Sequence, residues 1–370
     1  MDPLREFRDA LRNPLTRRYY ERRLTKFFNF LGLPGDLENQ ARIFVERADP
    51  NYLRESIYSF ILAQRERVER KEITAATLKN FVKAIKLFCE ENELFFNWKK
   101  LTKRLPPARN HANDRAPTKE EILKMMEYPD RRIKPIILVM ATSGIRIGAW
   151  DYLTVGDVQP IEKEGRIVAA KLTVYKGEPE QYTTFITPEA YFALKQWLDF
   201  RQRSGERLSD SSPLMRNMWD TSCSASFPLP KKLSSKGVKA LLEHAIITQG
   251  VAKRVEGQKR REWQGAHGLR KFFKTVLETS GIKTIFVECL MGHDLGLAQS
   301  YFKPSENELL EEYLKAVPNL TFFGPKSSET QEIEKLKKRV EELETQNLEL
   351  KRKAEEIYRL AQKIRKKLGM

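Results

Sequence analysis

Apolar positions recur every three to four residues through the first hundred positions, the period of helices with one buried face. Tyr19, Leu24, Phe27, Phe28 and Leu31 follow this spacing, with Thr16 placed to cap their helix. Gly32 and the turn Leu33-Pro34-Gly35-Asp36 end it, and a second helix starts at Asp36. The pattern predicts a third helix from Tyr52 to Arg70, with Leu53, Ile57, Phe60, Ile61 and Leu62 directed inward. Thr74 caps a further one, on which Leu78, Phe81, Val82, Ile85, Phe88 and Cys89 share a face. Lys and Arg fill the outer faces, so residues 1–104 read as a small basic helical domain.

The period is lost over residues 105–117, where Pro106, Pro107 and Pro117 stand among charges, which predicts a linker. Thr118 followed by Glu121 is a capping box that opens the next helix, with Ile122, Leu123 and Met126 behind it. From there to residue 324 helical and alternating patterns mix. Ile136 to Met140 is an apolar helix running into Gly144. Residues 167–175 read as a strand, Lys176 to Glu180 as a turn, and Gln181 to Ile186 as the returning strand. Pro188 starts a helix with Tyr191, Leu194, Trp197 and Leu198. Residues 204–236, rich in Ser, Pro and charge, read as a long loop. Glu306, Leu309, Leu310, Tyr313 and Leu314 give an amphipathic helix, which docks either on its own body or on a neighbouring subunit.

The last stretch, residues 328–368, changes period. Ile333, Val340, Asn347, Ala354, Ala361 and Leu368 are spaced by seven, as are Leu336, Leu343, Leu350, Ile357 and Ile364. These are a and d positions of a coiled coil, with Asn347 at one a position favouring a parallel dimer. The fold class expected is α+β, mostly helical: a helical domain, a catalytic-size domain with a small β-hairpin, and a coiled-coil tail.

Composition narrows the partners. The formal charge of +17 and pI of about 9.6 suit a polyanion, with salt-sensitive affinity for phosphates. Cys89, Cys223 and Cys289 are scattered and odd in number, which fits a reducing compartment and no disulfide framework. Four histidines without paired cysteines offer no zinc spacing. There is no apolar leader at Met1-Asp2-Pro3-Leu4 and no apolar run near ~18 residues, so a cytoplasmic or nucleoid-associated location is expected.

Candidate chemistry lies in four separated stretches. Arg146 follows Gly144, which permits a tight turn before a helix start. Lys176 stands at the hairpin tip. Arg270 follows His267 by three, on one helical face. His293 follows Met291-Gly292, and Tyr301 comes eight residues later. Cutting DNA without a metal calls for these types. Guanidinium forks meet the charge that develops on the attacked phosphodiester. A mobile ammonium serves as general acid for the leaving oxygen, and a tyrosine hydroxyl attacks phosphorus.

On Thr142 to Gly148, Tyr175-Lys176-Gly177, His267-Gly268-Leu269-Arg270-Lys271 and Leu290-Met291-Gly292-His293 with Tyr301, the chain resembles the tyrosine recombinases of the phage integrase family. Within that family it is similar to integrases of archaeal viruses, plasmids and integrated elements, on Ser300-Tyr301-Phe302-Lys303-Pro304. The likeness covers residues 118–323, more loosely the first domain, and not the tail. It implies that Arg146 and Arg270 clamp the phosphate and that His267 and His293 hydrogen-bond it and help proton transfer. Lys176 protonates the leaving oxygen, with Lys171 as a weaker competitor, and Tyr301 is the nucleophile. It implies double-stranded DNA as partner, a homo-oligomer that is tetrameric in the synapse, and neither metal, ATP nor other cofactor. Many members carry Glu shortly after the first arginine, where this chain has Ala149 and Trp150. Two other classes compete. A type IB topoisomerase relaxes supercoiled DNA without partner sites, and its usual coiled coil precedes the tyrosine. A DNA-binding protein without catalysis forms no covalent adduct.

Overall fold

The computed structural model describes residues 2–107, 114–219, 231–254, 261–296 and 301–323. The heptads of 328–368, His111 and Cys223 lie outside the described residues, as do the middle of the 105–117 stretch and part of the 204–236 loop. The chain divides into two compact units, with the break between Ala112 and Asn113.

The first unit is helical: α1 Pro3–Asp9, α2 Pro14–Phe30, α3 Leu37–Glu46, α4 Pro50–Glu69, α5 Ala75–Glu91 and α6 Trp98–Thr102. Three of these start on one signature, an Asx cap followed by proline at the first helical position. The pairs are Asp2-Pro3, Asn13-Pro14 and Asp49-Pro50. The cap of α2 is therefore Asn13, not Thr16. Its Oδ1 accepts from the amides of Leu15 at 2.9 Å and Thr16 at 3.2 Å. Proline supplies a preset φ and lacks the amide that would go unsatisfied there, so the helix starts earlier than Thr16. The core is aromatic, with Phe27 packed edge-on against Phe44 and Phe60 at ring distances of 5.3 and 5.2 Å. Leu53, Ile57, Phe60 and Ile61 are buried as expected, but Leu62 and Tyr19 are about half exposed. Leu62 is one residue, some 100° of helix, beyond the inward stripe.

The second unit contains α7 Lys119–Met126, α8 Ile133–Ser143, β1 Val158–Lys163, β2 Arg166–Val174, β3 Tyr182–Ile186, α9 Pro188–Arg203, α10 Ser235–Thr248, α11 Gly265–Thr279, α12 Thr284–Leu290 and, as α13, Glu306–Leu320. It is mostly helical with one small antiparallel sheet in the order β1-β2-β3. The capping box of Thr118 and Glu121 opens α7. Helix α8 is the centre of the core, with Ile136 through Ser143 buried. The hairpin expected from sequence is β2-β3, and β1 is an addition to it. β1 joins β2 through Glu164 and Gly165, both at positive φ (52° and 71°), as a two-residue turn of the I′ type requires. Pro160 in β1 is tolerated because β1 is an edge strand.

Helix α13 packs on its own body. Tyr313 is fully buried and its hydroxyl donates to the Thr142 carbonyl at 2.8 Å, near the end of α8. Lys163–Glu311 (2.6 Å) and Lys171–Glu306 (2.8 Å) tie the helix to β1 and β2. Glu189 at the start of α9 accepts from the amides of Phe322 and Phe323 just beyond it. Among the described residues no helix is long and apolar enough to cross a membrane, and no three acidic, His or Cys side chains cluster as metal ligands.

Candidate active site

The buried helix α8 stops at Gly144, which takes φ +62° in the left-handed region. A β-carbon there would lie 2.2 Å from Phe273 of α11, so glycine lets the turn press against that helix. The chain then passes through Arg146 in extended conformation into a 3-10 turn, Ile147–Asp151. The helix start expected after Arg146 is thus a single tight turn, not an α-helix. Arg146 is exposed, and its Nη1 donates to the Gly292 carbonyl at 2.9 Å.

Helix α11 carries His267 and Arg270 one turn apart. His267 is exposed, whereas Arg270 is 9% exposed. The Arg270 guanidinium donates to the carbonyls of Gly144 and, at 2.8 Å, Met291, and meets His293 Nε2 at 2.6 Å. Burial pulls its pKa below the ordinary arginine value, opposed by the nearby Tyr182 phenol.

His293 follows the end of α12 across Met291 and Gly292. Gly292 has φ +61°, and a β-carbon there would lie 2.4 Å from the Tyr182 ring. The glycine thus lets the loop close over β3, and burial pushes the Tyr182 phenol up to about 12. His293 Nδ1 pairs with Glu288, whose other oxygen takes Lys274 Nζ at 2.5 Å. Glu288, Lys274 and Tyr182 belong to no motif visible in the sequence. Only the five-residue interval from Glu288 to His293, across a helix end, was there to be read.

Arg146, His267, Arg270 and His293 line one cleft of about 500 Å³, together with Lys239, Gln264 and Glu243. Four expected site residues from three distant stretches therefore converge on one cationic concavity. Lys176 does not line it. It is exposed on the turn after β2, between Tyr175 (φ 54°) and Gly177 (φ 82°), and its nearest acid is Asp157 at 3.8 Å. Lys171 lies on β2, engaged with Glu306. Tyr301 is 90% exposed and is not part of the described lining. Its neighbour Phe302 packs edge-on against Phe286 at 5.2 Å. Phe302 also lines a second groove of about 550 Å³, which shares His293 with the first. His293 thus stands between the cationic cleft and the segment that carries the tyrosine.

Solved structures of similar fold include tyrosine recombinases. A lambda integrase dimer bound to a COC′ core site is 15% identical, with a TM-score of 0.51, over 83% of this chain and 92% of that one. XerH site-specific recombinase bound to its difH substrate is 19% identical, with a TM-score of 0.49, over 78% of this chain and 76% of that one. The integrase from mycobacterium phage Brujita is 14% identical, with a TM-score of 0.41, over 89% and 94%. No curated protein sequence matches the chain. The profile of the phage integrase family matches residues 116–308, more than half of the chain. With its basic cleft, its small sheet and its mostly helical frame, this chain belongs to the phage integrase family.

Proposed function

We propose that the chain is a site-specific DNA recombinase that integrates or excises a mobile element through a 3′-phosphotyrosyl intermediate. The observation that carries this reading is the convergence of Arg146, His267, Arg270 and His293 on one cleft. Two guanidiniums and two imidazoles around a concavity suit one phosphodiester, the guanidiniums as its donors. Tyr301 is the nucleophile, and its exposure suits a group that moves onto a bound phosphate. Lys176, exposed on its turn and loosely paired with Asp157 at 3.8 Å, protonates the 5′-oxygen as it leaves. The 5′-hydroxyl of a partner duplex then attacks the phosphotyrosine, so bond energy is conserved without ATP. The first helical unit adds basic surface to the DNA contact, four protomers on two sites form the synapse, and residues 328–368 pair between chains. Such an enzyme acts on DNA in the cytoplasm, at the nucleoid.

The test is adduct formation. Cleavage sites mapped on genomic DNA supply a nicked suicide duplex, on which the wild-type protein gives an SDS-resistant complex. Tyr301→Phe is expected to bind the duplex equally and to give none. An adduct with Tyr301→Phe refutes the nucleophile, and no adduct with the wild type refutes the recombinase reading. Relaxation of supercoiled plasmid lacking partner sites points to a topoisomerase instead.

A further inference from the structure

Four side chains behind the cleft form one unbroken line: Lys274, Glu288, His293 and Arg270. Lys274 and Arg270 stand one turn apart on α11, and Glu288 is on α12. A guanidinium has donors and no acceptor, so the His293 Nε2 facing Arg270 at 2.6 Å must accept. The one proton of the neutral ring then sits on Nδ1, against Glu288 Oε2. Glu288 also holds His293 through the main chain, its carbonyl accepting from the His293 amide at 3.0 Å.

We propose that Glu288 is a positioning residue for strand cleavage: it fixes His293 as the Nδ1–H tautomer and presents Nε2 to the cleft as a proton acceptor. The inference rests on the recombinase reading above for its chemical step, though not for the tautomer itself. Burial acts to raise the Glu288 carboxyl, but Lys274 and His293 outweigh it and hold the group below the usual range. Glu288 is therefore an anion at neutral pH, able to accept from Nδ1 and nothing else.

The chemical consequence follows from where the protons go. A phosphate entering the cleft draws the Arg270 donor away from Nε2, which leaves that lone pair free. As Tyr301 Oη bonds to phosphorus, the phosphorus–5′-oxygen bond breaks. Nε2 takes the phenolic proton, and Lys176 gives one to the leaving oxygen. The ring is then an imidazolium, with Nδ1–H on the Glu288 carboxylate and Nε2–H free to face a phosphate oxygen. Ligation returns both protons. A carboxylate behind an imidazole, setting its tautomer and stabilising its cation, is a known way to make a base of a histidine.

The test has two arms. In the first, the full chain is labelled with ¹⁵N-histidine, and His293→Gln identifies the His293 signals. The free protein should show a proton on Nδ1 and none on Nε2, and Glu288→Ala should give signals averaged between the tautomers. A wild-type ring protonated on Nε2 overturns the proposal, whatever the protein does to DNA. In the second, cleavage of the mapped suicide duplex is timed. Glu288→Ala should cleave on the order of 10- to 100-fold more slowly with unchanged DNA affinity, the usual size of a lost supporting hydrogen bond. Glu288→Asp, which keeps the anion should the alanine variant fold poorly, should recover part of that rate. In a His293→Gln background Glu288→Ala should cost nothing further, because Glu288 acts through His293. Additive losses, or a full-rate Glu288→Ala, overturn the positioning role. A wild-type protein that forms no adduct counts against the recombinase reading and leaves the tautomer result standing.

Discussion

Replacing Gly144 by alanine separates two costs that the structure keeps apart elsewhere. Gly144 has φ +62°, and its added methyl would meet Phe273 at 2.2 Å. Gly165 has a similar φ of +71° with nothing within 4 Å. At Gly165 only the backbone term acts, roughly 1–2 kcal/mol for a left-handed alanine, offset by 0.4–1 kcal/mol from the restricted unfolded chain. Gly165→Ala should therefore lose about 1 kcal/mol. Gly144→Ala adds the overpacking of a filled core, about 1–3 kcal/mol, for a total loss of about 2–4 kcal/mol. Urea unfolding followed by tryptophan fluorescence reads this, since Trp150, Trp197, Trp219 and Trp263 all belong to the second unit. Phe273→Leu in the Gly144→Ala background should recover part of the difference, because it removes the ring that the methyl strikes. Equal losses at the two glycines, or no coupling between positions 144 and 273, refute the argument that close packing of the turn on α11 requires glycine.

Other side chains carry predictions of different kinds. Glu206 bridges two buried guanidiniums, Arg201 at 2.5 Å and Arg216 at 2.7 Å. Glu206→Ala strands both charges and should destabilise the second unit by about 3–5 kcal/mol in the same urea assay, whereas an effect under about 1 kcal/mol would mean water reaches the triad. The Arg115 guanidinium, opposed by burial and helped by the Thr118 amide and Trp263, holds the Glu121 carboxyl at about 2. A depressed carboxylate contributes stability that is complete above its unfolded value and is lost as pH falls toward the folded one, here from about 4.5 to about 2. Glu121→Gln should flatten the stability slope in that window, and an unchanged slope would assign acid sensitivity elsewhere. Tyr313→Phe removes a donor from the buried Thr142 carbonyl and should cost about 1–3 kcal/mol with the ring still packed. Differential scanning calorimetry checks it, and an unchanged Tm would show that the hydrogen bond does not anchor α13.

Much of the second unit was legible because its candidate chemistry stands in short, ordered runs of residues. Arg146, His267, Arg270 and His293 stand far apart in sequence yet share a cleft, and the hairpin of β2 and β3 lies within a residue of where alternation placed it. What the sequence hid is tertiary. Glu288 is a lone acid on a short helix and reads from sequence like any surface carboxylate until His293 folds back on it. Strand β1 was missed because Val158 to Lys163 is short, polar and interrupted by Pro160, although Glu164-Gly165 was a turn signal. Asn13 and Asp49 do not stand out as caps because the apolar stripes begin only at Tyr19 and Tyr52. Helix starts follow the Asx-Pro pair, not the first buried residue. Whether α13 docks on its own body could not be read from an amphipathic face alone, since either partner would bury the same side.

The two arginines of the cleft rest on main-chain oxygens, those of Gly144, Met291 and Gly292. On the proposed reading, an incoming phosphate would exchange neutral acceptors for an anionic one and would not awaken idle donors. Apart from His293 Nε2, which also faces Arg270, the resting contacts of these two guanidiniums are therefore not encoded in any side chain. No point mutation can delete a carbonyl, so inherited variation reaches those main-chain contacts only by bending the loops that carry them.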